Sequence, residues 1–499
     1  MARARSSSTT SRRGLWLFPL AGALIGALLS LLIGPHPTSL GPPTGDAALA
    51  REAQAILGNL DGYGAVSVAR IQNGQSAWAG FPAKGRSIDE HSRFELGSIT
   101  KTFNGLLLAD AVERGEVAPD DPVANHLPEL AGSPAGTATL EELASHRSGL
   151  PSIARMPMAE IIFEDMAGEE LSVFATGTDD LLAQARTLEL TNRGTFAYSN
   201  LGAALLGHAL ARAGGAPDWE THVSTRLLAP LGLTETRFVP PGQRDPALEQ
   251  PRLAGGRAVE AWTGSGYAPA GAGVTTTAAD LTRYARAILD GSAPGMSALD
   301  PQWDTTGLLA GTSRIGLAWM SSGPAGAEMQ WHNGGTGGTR TILAIDRHTQ
   351  TAAIVLNSSK TDVTGAGLRL AGADDGPPRF LLSLSERDYY WILGLVPVLV
   401  LAIGALRGRN RLGVLARTSW ALGGVLLIWL AAPWNWVPGW VFGLAVGAVV
   451  ASLVVIGLRW GRLPWRPRRF LGLSVPVLAL GAAFLALMLT VTIRALRIG

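Results

Sequence analysis

The 499-residue chain contains no cysteine. Disulfides, cysteine-ligated metals and a thiol nucleophile are therefore excluded. Among its eight histidines there is no His-Glu-x-x-His and no closely spaced pair, which argues against a zinc hydrolase and leaves no metal or other cofactor to expect. No Gly-x-Ser-x-Gly occurs, so the strand-to-helix elbow of an α/β-hydrolase is missing. The glycine-rich run Gly334-Gly335-Thr336-Gly337-Gly338 lacks the following Lys-Ser/Thr of a phosphate loop, and it leads into a strand-like segment rather than a helix. Lysine is scarce, with Lys84, Lys101 and Lys360 the only three. Acidic residues are absent from residues 1–35 and from residues 389–499.

That last absence divides the chain. The ends carry four and eleven arginines, so all 39 acids face the 26 remaining basic residues in the middle, a net charge of −13. The basic isoelectric point thus belongs to the ends, and no nucleic-acid surface is implied. Leu15 to Ile33, after Arg12-Arg13, is an uncharged apolar run of about the ~20 residues that cross a bilayer. It reads as an uncleaved signal anchor, with a cleaved signal peptide as the competing reading. Tyr389 to Leu406, Thr418 to Leu458 and Phe470 to Ile493 are also uncharged, and splitting the second at Pro433-Trp434-Asn435-Trp436-Val437-Pro438 gives four spans. The connectors Arg407–Arg411 and Arg459–Arg469 are arginine-rich and belong in the cytoplasm, which puts the acidic domain outside a cytoplasmic membrane. Eight of the 15 tryptophans follow residue 389, many near span ends, as an interfacial belt requires. The divisions are a tail and anchor (1–35), a linker (36–47), a catalytic domain (48–371), a second linker (372–388) around Asp374-Asp375-Gly376-Pro377-Pro378, and a bundle of about four transmembrane helices (389–499).

Ser98-Ile99-Thr100-Lys101 is the sole Ser-x-x-Lys in the chain. On a helix the two side chains share a face one turn apart, so the serine can be a nucleophile with its own base. Two later patches strengthen this reading: Tyr198-Ser199-Asn200, the only Tyr-x-Asn among six tyrosines, and His332-Asn333-Gly334 before the strand-like Arg340–Ile345. Local patterns predict a helix over Ala48–Leu57 and a hairpin of Gly64–Gln72 with a strand holding Trp78, joined at Gln72-Asn73-Gly74-Gln75. Helices dominate Thr100–Leu231, and strands return at Glu328–Trp331, Arg340–Ile345 and Thr351–Leu356. One antiparallel sheet flanked by helices follows, with a short, glycine-broken Thr361–Ala371 at its close.

These motifs resemble the penicillin-recognising serine hydrolases, the group of class C β-lactamases, D-alanyl-D-alanine carboxypeptidases, esterases and D-amino-acid peptidases. The resemblance covers roughly residues 48 to 370. It extends to Leu143-Ala144-Ser145-His146-Arg147-Ser148-Gly149-Leu150-Pro151, to Leu228–Thr236 and to Gly271–Leu281. Acyl transfer needs a base for the Ser98 proton, a role Lys101 and Tyr198 share: desolvation beside a buried tyrosine and asparagine lowers the Lys101 pKa, while its positive charge favours Tyr198 as phenolate. The resemblance implies an α/β, β-lactamase/transpeptidase-like fold and an acyl-enzyme on Ser98. It further implies that Asn200 orients the substrate amide or Lys101, that the Ser98 and Gly335 amides hold the oxyanion, that Gly334 admits the substrate to the strand edge, and that His332 donates a hydrogen bond to it. His146 and Asp280 read as structural, Asp280 in a capping box with Thr277.

The leading expectation is a membrane-tethered extracytoplasmic peptidase, carboxypeptidase or esterase acting on a small peptide, amide or ester, such as a peptidoglycan stem. The alternatives are a β-lactamase, a prodrug-activating D-amino-acid peptidase similar to the colibactin-maturing enzymes, and a penicillin-binding sensor signalling through the bundle. The lipid bilayer is the one macroscopic partner implied, with no nucleic acid. For topology, a reporter fused near Gly372 is expected to be active only outside, and reporters at Arg409 and Arg466 only in the cytoplasm. An external Arg466 would make the four-span count wrong by one.

Overall fold

The computed structural model describes residues 20–28, 38–155, 157–305, 313–324, 326, 328–373, 387–407, 410–432, 434, 437–465 and 471–498. The rest of the N-terminal tail and anchor, the Asp374–Pro378 linker, Arg409, Arg466 and most of the Pro-Trp-Asn-Trp turn lie outside these. The chain forms two compact units, residues 38–383 and the two ends, 1–37 with 384–497.

In the first unit the strands run β1 (Thr44–Gly45), β2 (Val66–Gln72), β3 (Gln75–Phe81), β4 (Arg93–Glu95), β5 (Arg237–Phe238), β6 (Val274–Thr277), β7 (Trp303–Asp304), β8 (Ser313–Ile315), β9 (Met320–Ser322), β10 (Met329–Gly335), β11 (Arg340–Asp346) and β12 (Thr351–Asn357). Nine form one antiparallel sheet in the order β1-β3-β2-β12-β11-β10-β9-β8-β7, and β4-β6-β5 form a small second sheet. The β2–β3 hairpin turns at Asn73 and Gly74, both at positive φ (52° and 74°), the geometry an Asn-Gly turn supplies cheaply. Alternation then assigns the faces. Val66, Val68, Ile342, Ala344 and Val355 pack under the helices Ala47–Leu57 and Thr364–Leu370, while Ala69, Ile71, Leu343, Ile345, Ile354 and Leu356 face the large helical region. Buried on both faces, the central strands read as continuous apolar runs.

The expected elements are present with two extensions. The strand predicted to end at Trp331 continues to Gly335, because His332 to Gly335 pair with Leu343 to Arg340 and glycine does not prevent ladder hydrogen bonds. The closing segment is a seven-residue helix, Thr364–Leu370, whose Gly367 sits against Ile342. Asp280 departs from the capping-box expectation. Thr277 does cap the helix Ala278–Leu289 by accepting from the Asp280 amide, but the Asp280 carboxylate accepts instead from the Glu235 and Thr236 amides (2.9 and 2.7 Å) and from Thr236 Oγ1. It thereby ties the Leu228–Thr236 segment to the start of the helix Ala278–Leu289.

The second unit contains the helices Arg387–Arg407, Arg411–Ala431, Trp440–Arg459 and Leu471–Ile498. Among the described residues three helices, Arg411–Ala431, Trp440–Arg462 and Val475–Ile498, are long and apolar enough to cross a membrane, and Trp391–Arg407 is a shorter apolar helix. Residues 20–28 are helical and lie against Trp440–Arg459 so closely that a Cβ on Gly26 would come within 2.6 Å of Gly447 Cα.

Replacing Asp280 by alanine leaves buried donors of residues 235 and 236 without an acceptor, an expected loss of about 3 kcal/mol. Urea unfolding of the purified protein checks this. A midpoint unchanged from wild type would show that Asp280 is dispensable to the domain.

Candidate active site

Ser98 sits in a one-turn 3₁₀ segment, Gly97–Ile99, between β4 and the buried helix Thr100–Glu113. Two glycines let the end of β10 press against this turn. Gly97 has φ +60°, and a Cβ there would lie 2.7 Å from the Gly335 nitrogen; a Cβ on Gly334 would lie 2.3 Å from the Leu96 oxygen and 3.2 Å from the Ser98 nitrogen. Backbone thus meets backbone, and the Ser98 and Gly335 amides come together at the start of a helix, where partial positive charge accumulates. Thr341 Oγ1 donates to the Leu96 carbonyl at 2.8 Å. The buried Glu95 carboxylate accepts from the Trp262 amide (2.9 Å) and from the Thr336 and Thr339 hydroxyls (2.7 and 2.8 Å), pinning the loop after β10 to the nucleophile strand.

Lys101 is 0 % exposed. Its Nζ lies 2.8 Å from Ser98 Oγ and donates to the Ala270 carbonyl, also at 2.8 Å. One turn further on, Asn104 donates to the Pro269 carbonyl, so a single helix face fixes this pair of carbonyls. Burial without a carboxylate partner pushes the lysine well below its ordinary value, toward the neutral amine. Tyr198 hydrogen-bonds Ser98, and its ring centroid is 5.1 Å from Lys101 Nζ. Burial also raises the phenol above its ordinary value. The phenolate expected from the lysine's charge is therefore reversed: with the amine itself driven neutral, desolvation decides, and Tyr198 keeps its proton.

His332 is buried on β10, its ring centroid 6.3 Å from that of Tyr198. Its Nδ1 lies 2.6 Å from the Asn333 carbonyl, which can only accept, so Nδ1 carries the proton. Burial and the neighbouring Lys101 push the imidazole down to about 3. The neutral ring then offers Nε2 as an acceptor, and Nε2 has no protein partner. The expected donor to substrate is thus an acceptor, because the backbone has claimed the one N–H. Asn200 opens the helix Asn200–Ala213 and donates to Ser152 Oγ at 3.3 Å. It is the Ala270 carbonyl, not Asn200, that holds Lys101. Arg340 lies against Gly335, where a Cβ would meet its Nη1 at 3.0 Å, and it donates to the Thr336 and Thr339 carbonyls.

Ser98, Lys101, Tyr198, His332, Gly334 and Gly335 therefore converge, with Asn200 directly after the tyrosine segment. Sequence reading missed Ala270, Asn104, Glu95 and the contact of His146 with Tyr198. The first acts through a backbone carbonyl that no residue type advertises. Asn104 carries the signal of a single polar residue within the apolar run Phe103–Ala109, whereas Glu95, two residues after Arg93 in a polar stretch, carries none.

Residues 53–374 match the Beta-lactamase family model. Beta-lactamase-like protein 2 of Dictyostelium discoideum is 27% identical over 244 residues, covering 46% of this chain and 43% of that one. Putative beta-lactamase-like 1 of Homo sapiens is 30% identical over 247 residues, covering 46% and 47%. A beta-lactamase of Pseudomonas fluorescens is 28% identical over 230 residues, covering 44% and 58%. The chain thus spans about half the length of the curated relatives it matches. Among solved structures, a class C beta lactamase from Rhodobacter sphaeroides aligns with TM-score 0.52 and 22% identity over 63% of this chain and 95% of its own. Another class C beta-lactamase aligns with TM-score 0.55 and 18% identity over 66% and 97%. With its fold and its Ser-x-x-Lys, Tyr-x-Asn and His-x-Gly segments in one place, the chain belongs to the Beta-lactamase family.

Proposed function

We propose that this protein is a membrane-tethered serine hydrolase whose catalytic domain faces away from the cytoplasm and which works through an acyl-enzyme on Ser98. The observation that carries the proposal is the buried Lys101 amine 2.8 Å from Ser98 Oγ with no carboxylate to hold it charged. As Ser98 Oγ bonds to the substrate carbonyl carbon, its proton passes to Lys101 Nζ, with the Tyr198 hydroxyl bridging. The oxyanion is met by the Ser98 and Gly335 amides. The bond to the leaving group then breaks, and the leaving group takes the proton back. Water next attacks the Ser98 ester by the same relay, freeing the acid and restoring the serine.

The leading substrate is a D-amino-acid-type peptide or amide, or an ester, rather than a β-lactam. A lysine in place of His332 would offer a permanent charge to an antibiotic's carboxylate, whereas His332 is neutral at physiological pH and presents an acceptor. Arg340 against Gly335 supports a positive charge beside the reacting carbonyl. The apolar helices and the arginine-rich ends support the tether, and the contact of residues 20–28 with Trp440–Arg459 supports an N-terminal helix retained as an anchor.

Ser98→Ala is expected to abolish labelling by a fluorophosphonate, and Lys101→Ala to slow it ~10²–10⁴-fold. Because the working base is the neutral amine and its pKa is depressed, the labelling rate should rise with pH and level off well below the lysine's ordinary 10.5. Activity of Lys101→Ala within about twofold of wild type, or a rise centred near 10.5, would refute the dyad.

Nitrocefin turnover separates the substrate readings. Slow or absent hydrolysis is expected of the wild type, with faster acylation by penicillins in His332→Lys. Rapid wild-type turnover would restore β-lactamase as the leading function.

A further inference from the structure

His146 lies in the Leu143–Pro151 loop, outside the motifs that supply the nucleophile and base. Its backbone is left-handed (φ +56°), which few side chains adopt without cause. The cause is visible in its partners. The His146 carbonyl accepts from the Ala197 amide at 2.8 Å, and its Nδ1 accepts from the Ser199 amide at 3.2 Å. Those are the residues immediately before and after Tyr198. The imidazole also lies against the Tyr198 ring, centroids 4.4 Å apart and tilted 41°, while Phe196 closes on the imidazole edge-on at 6.0 Å.

The rest of the loop continues this lacing. The amides of Thr191, Gly194 and Leu201 donate to the carbonyls of Gly149, Arg147 and Ser152, and Ser199 Oγ donates to the Pro151 carbonyl. Among the described residues, only His146 bonds to the residues on both sides of the tyrosine and touches its ring. With Nδ1 accepting, the proton of the neutral imidazole is on Nε2, which is buried and has no protein partner. Burial, Lys101 and His332 all hold the ring uncharged.

We propose that His146 is a positioning residue of the reaction: its carbonyl and Nδ1 clamp residues 197 and 199 so that the Tyr198 hydroxyl is held on Ser98. This rests on the serine-hydrolase reading above. Its consequence is that a change at residue 146 alters the acylation rate even though the residue touches neither substrate nor nucleophile.

The test uses the full-length protein in detergent and a fluorophosphonate, a probe that needs no knowledge of the substrate. His146→Asn and His146→Gly both tolerate left-handed backbone, and both lose the ring; only asparagine keeps an acceptor near the position of Nδ1. The asparagine variant is expected to retain the larger part of the labelling rate and the glycine variant to lose tenfold or more, with KM for a reporter ester little changed. Equal rates in the two variants, whether both high or both low, would overturn the clamp. His146→Asp provides an independent readout should the glycine variant not fold. The groups facing residue 146 are Lys101, His332 and Tyr198, so a carboxylate there favours the charged lysine, and the acid limb of the labelling rate should move up on the order of one pH unit. An unmoved acid limb would place residue 146 out of contact with the base and defeat the proposal. Absence of labelling in the wild type would instead defeat the hydrolase reading itself, so the two failures are distinguishable.

Discussion

The lysine amine that lies in hydrogen-bond contact with a serine hydroxyl is kept dry, and most of the first unit's arrangement can be traced to that requirement. An ammonium buried without a counter-charge is strongly disfavoured, so either a carboxylate must come close or the proton must leave. Here the groups around Lys101 are a hydroxyl, a backbone carbonyl and an aromatic ring. None can neutralise a cation, and all are compatible with a neutral amine. The helix Thr100–Glu113 is accordingly buried on nearly every side from Thr100 to Ala109, which is why it shows almost no amphipathic stripe. Glu95, the nearby buried acid, is engaged by one amide and two hydroxyls, and in that role it fixes the strand before the nucleophile.

How far the sequence could be read depended on whether a feature rests on side chains or on backbone. The Asn73-Gly74 turn and the alternating strands were legible because positive φ and two-sided burial select particular residues. The Ser-x-x-Lys spacing was legible because helix periodicity alone brings the two side chains together. The short strands β7, β8 and β9 were not, since two or three residues are too few to show a period and their pairing is set by the longer β10. Nor was the extension of β10 through His332–Gly335, whose composition is that of a loop. The Ala270 carbonyl was beyond reach for the same reason, although the Gly271–Leu281 segment that delivers it was noted. After Ala270 the chain turns at Gly271 and enters β6, which pairs with β4 just ahead of Ser98.

The protonation states expected from sequence part from the structure for two different reasons. The lowered lysine pKa is present, but the phenolate at Tyr198 presumes that some positive charge stays on Lys101, and the donor at His332 presumes a neutral imidazole whose N–H is free for substrate. Once the amine is neutral, nothing remains to stabilise a phenolate, and the tyrosine's raised pKa follows from the same burial. At His332 the deciding group is the Asn333 carbonyl, which takes the Nδ1 proton and leaves a lone pair facing the interior. Two buried imidazoles near one lysine could not all be charged, and the structure answers by letting backbone groups choose the tautomers: an amide donates to Nδ1 of His146, and a carbonyl accepts from Nδ1 of His332.

That division gives the motif segments a common logic. The lysine sits on a helix and the serine in the turn that leads into it, where rotation is locked by packing, but the tyrosine enters from an irregular stretch just ahead of its own helix, where hydrogen bonds of its neighbours and the contact with the His146 ring set its direction. Residues 146 to 152 supply those bonds along residues 191 to 201, and the N-cap Ser199 adds a further restraint by accepting from the Gly202 amide while donating to Pro151. A loop that contributes no reacting atom can therefore be as demanding in sequence as the motifs it serves. Its histidine must adopt a left-handed backbone, present an acceptor at Nδ1 and remain uncharged beside a lysine, three conditions that no aliphatic side chain, lysine or arginine meets together.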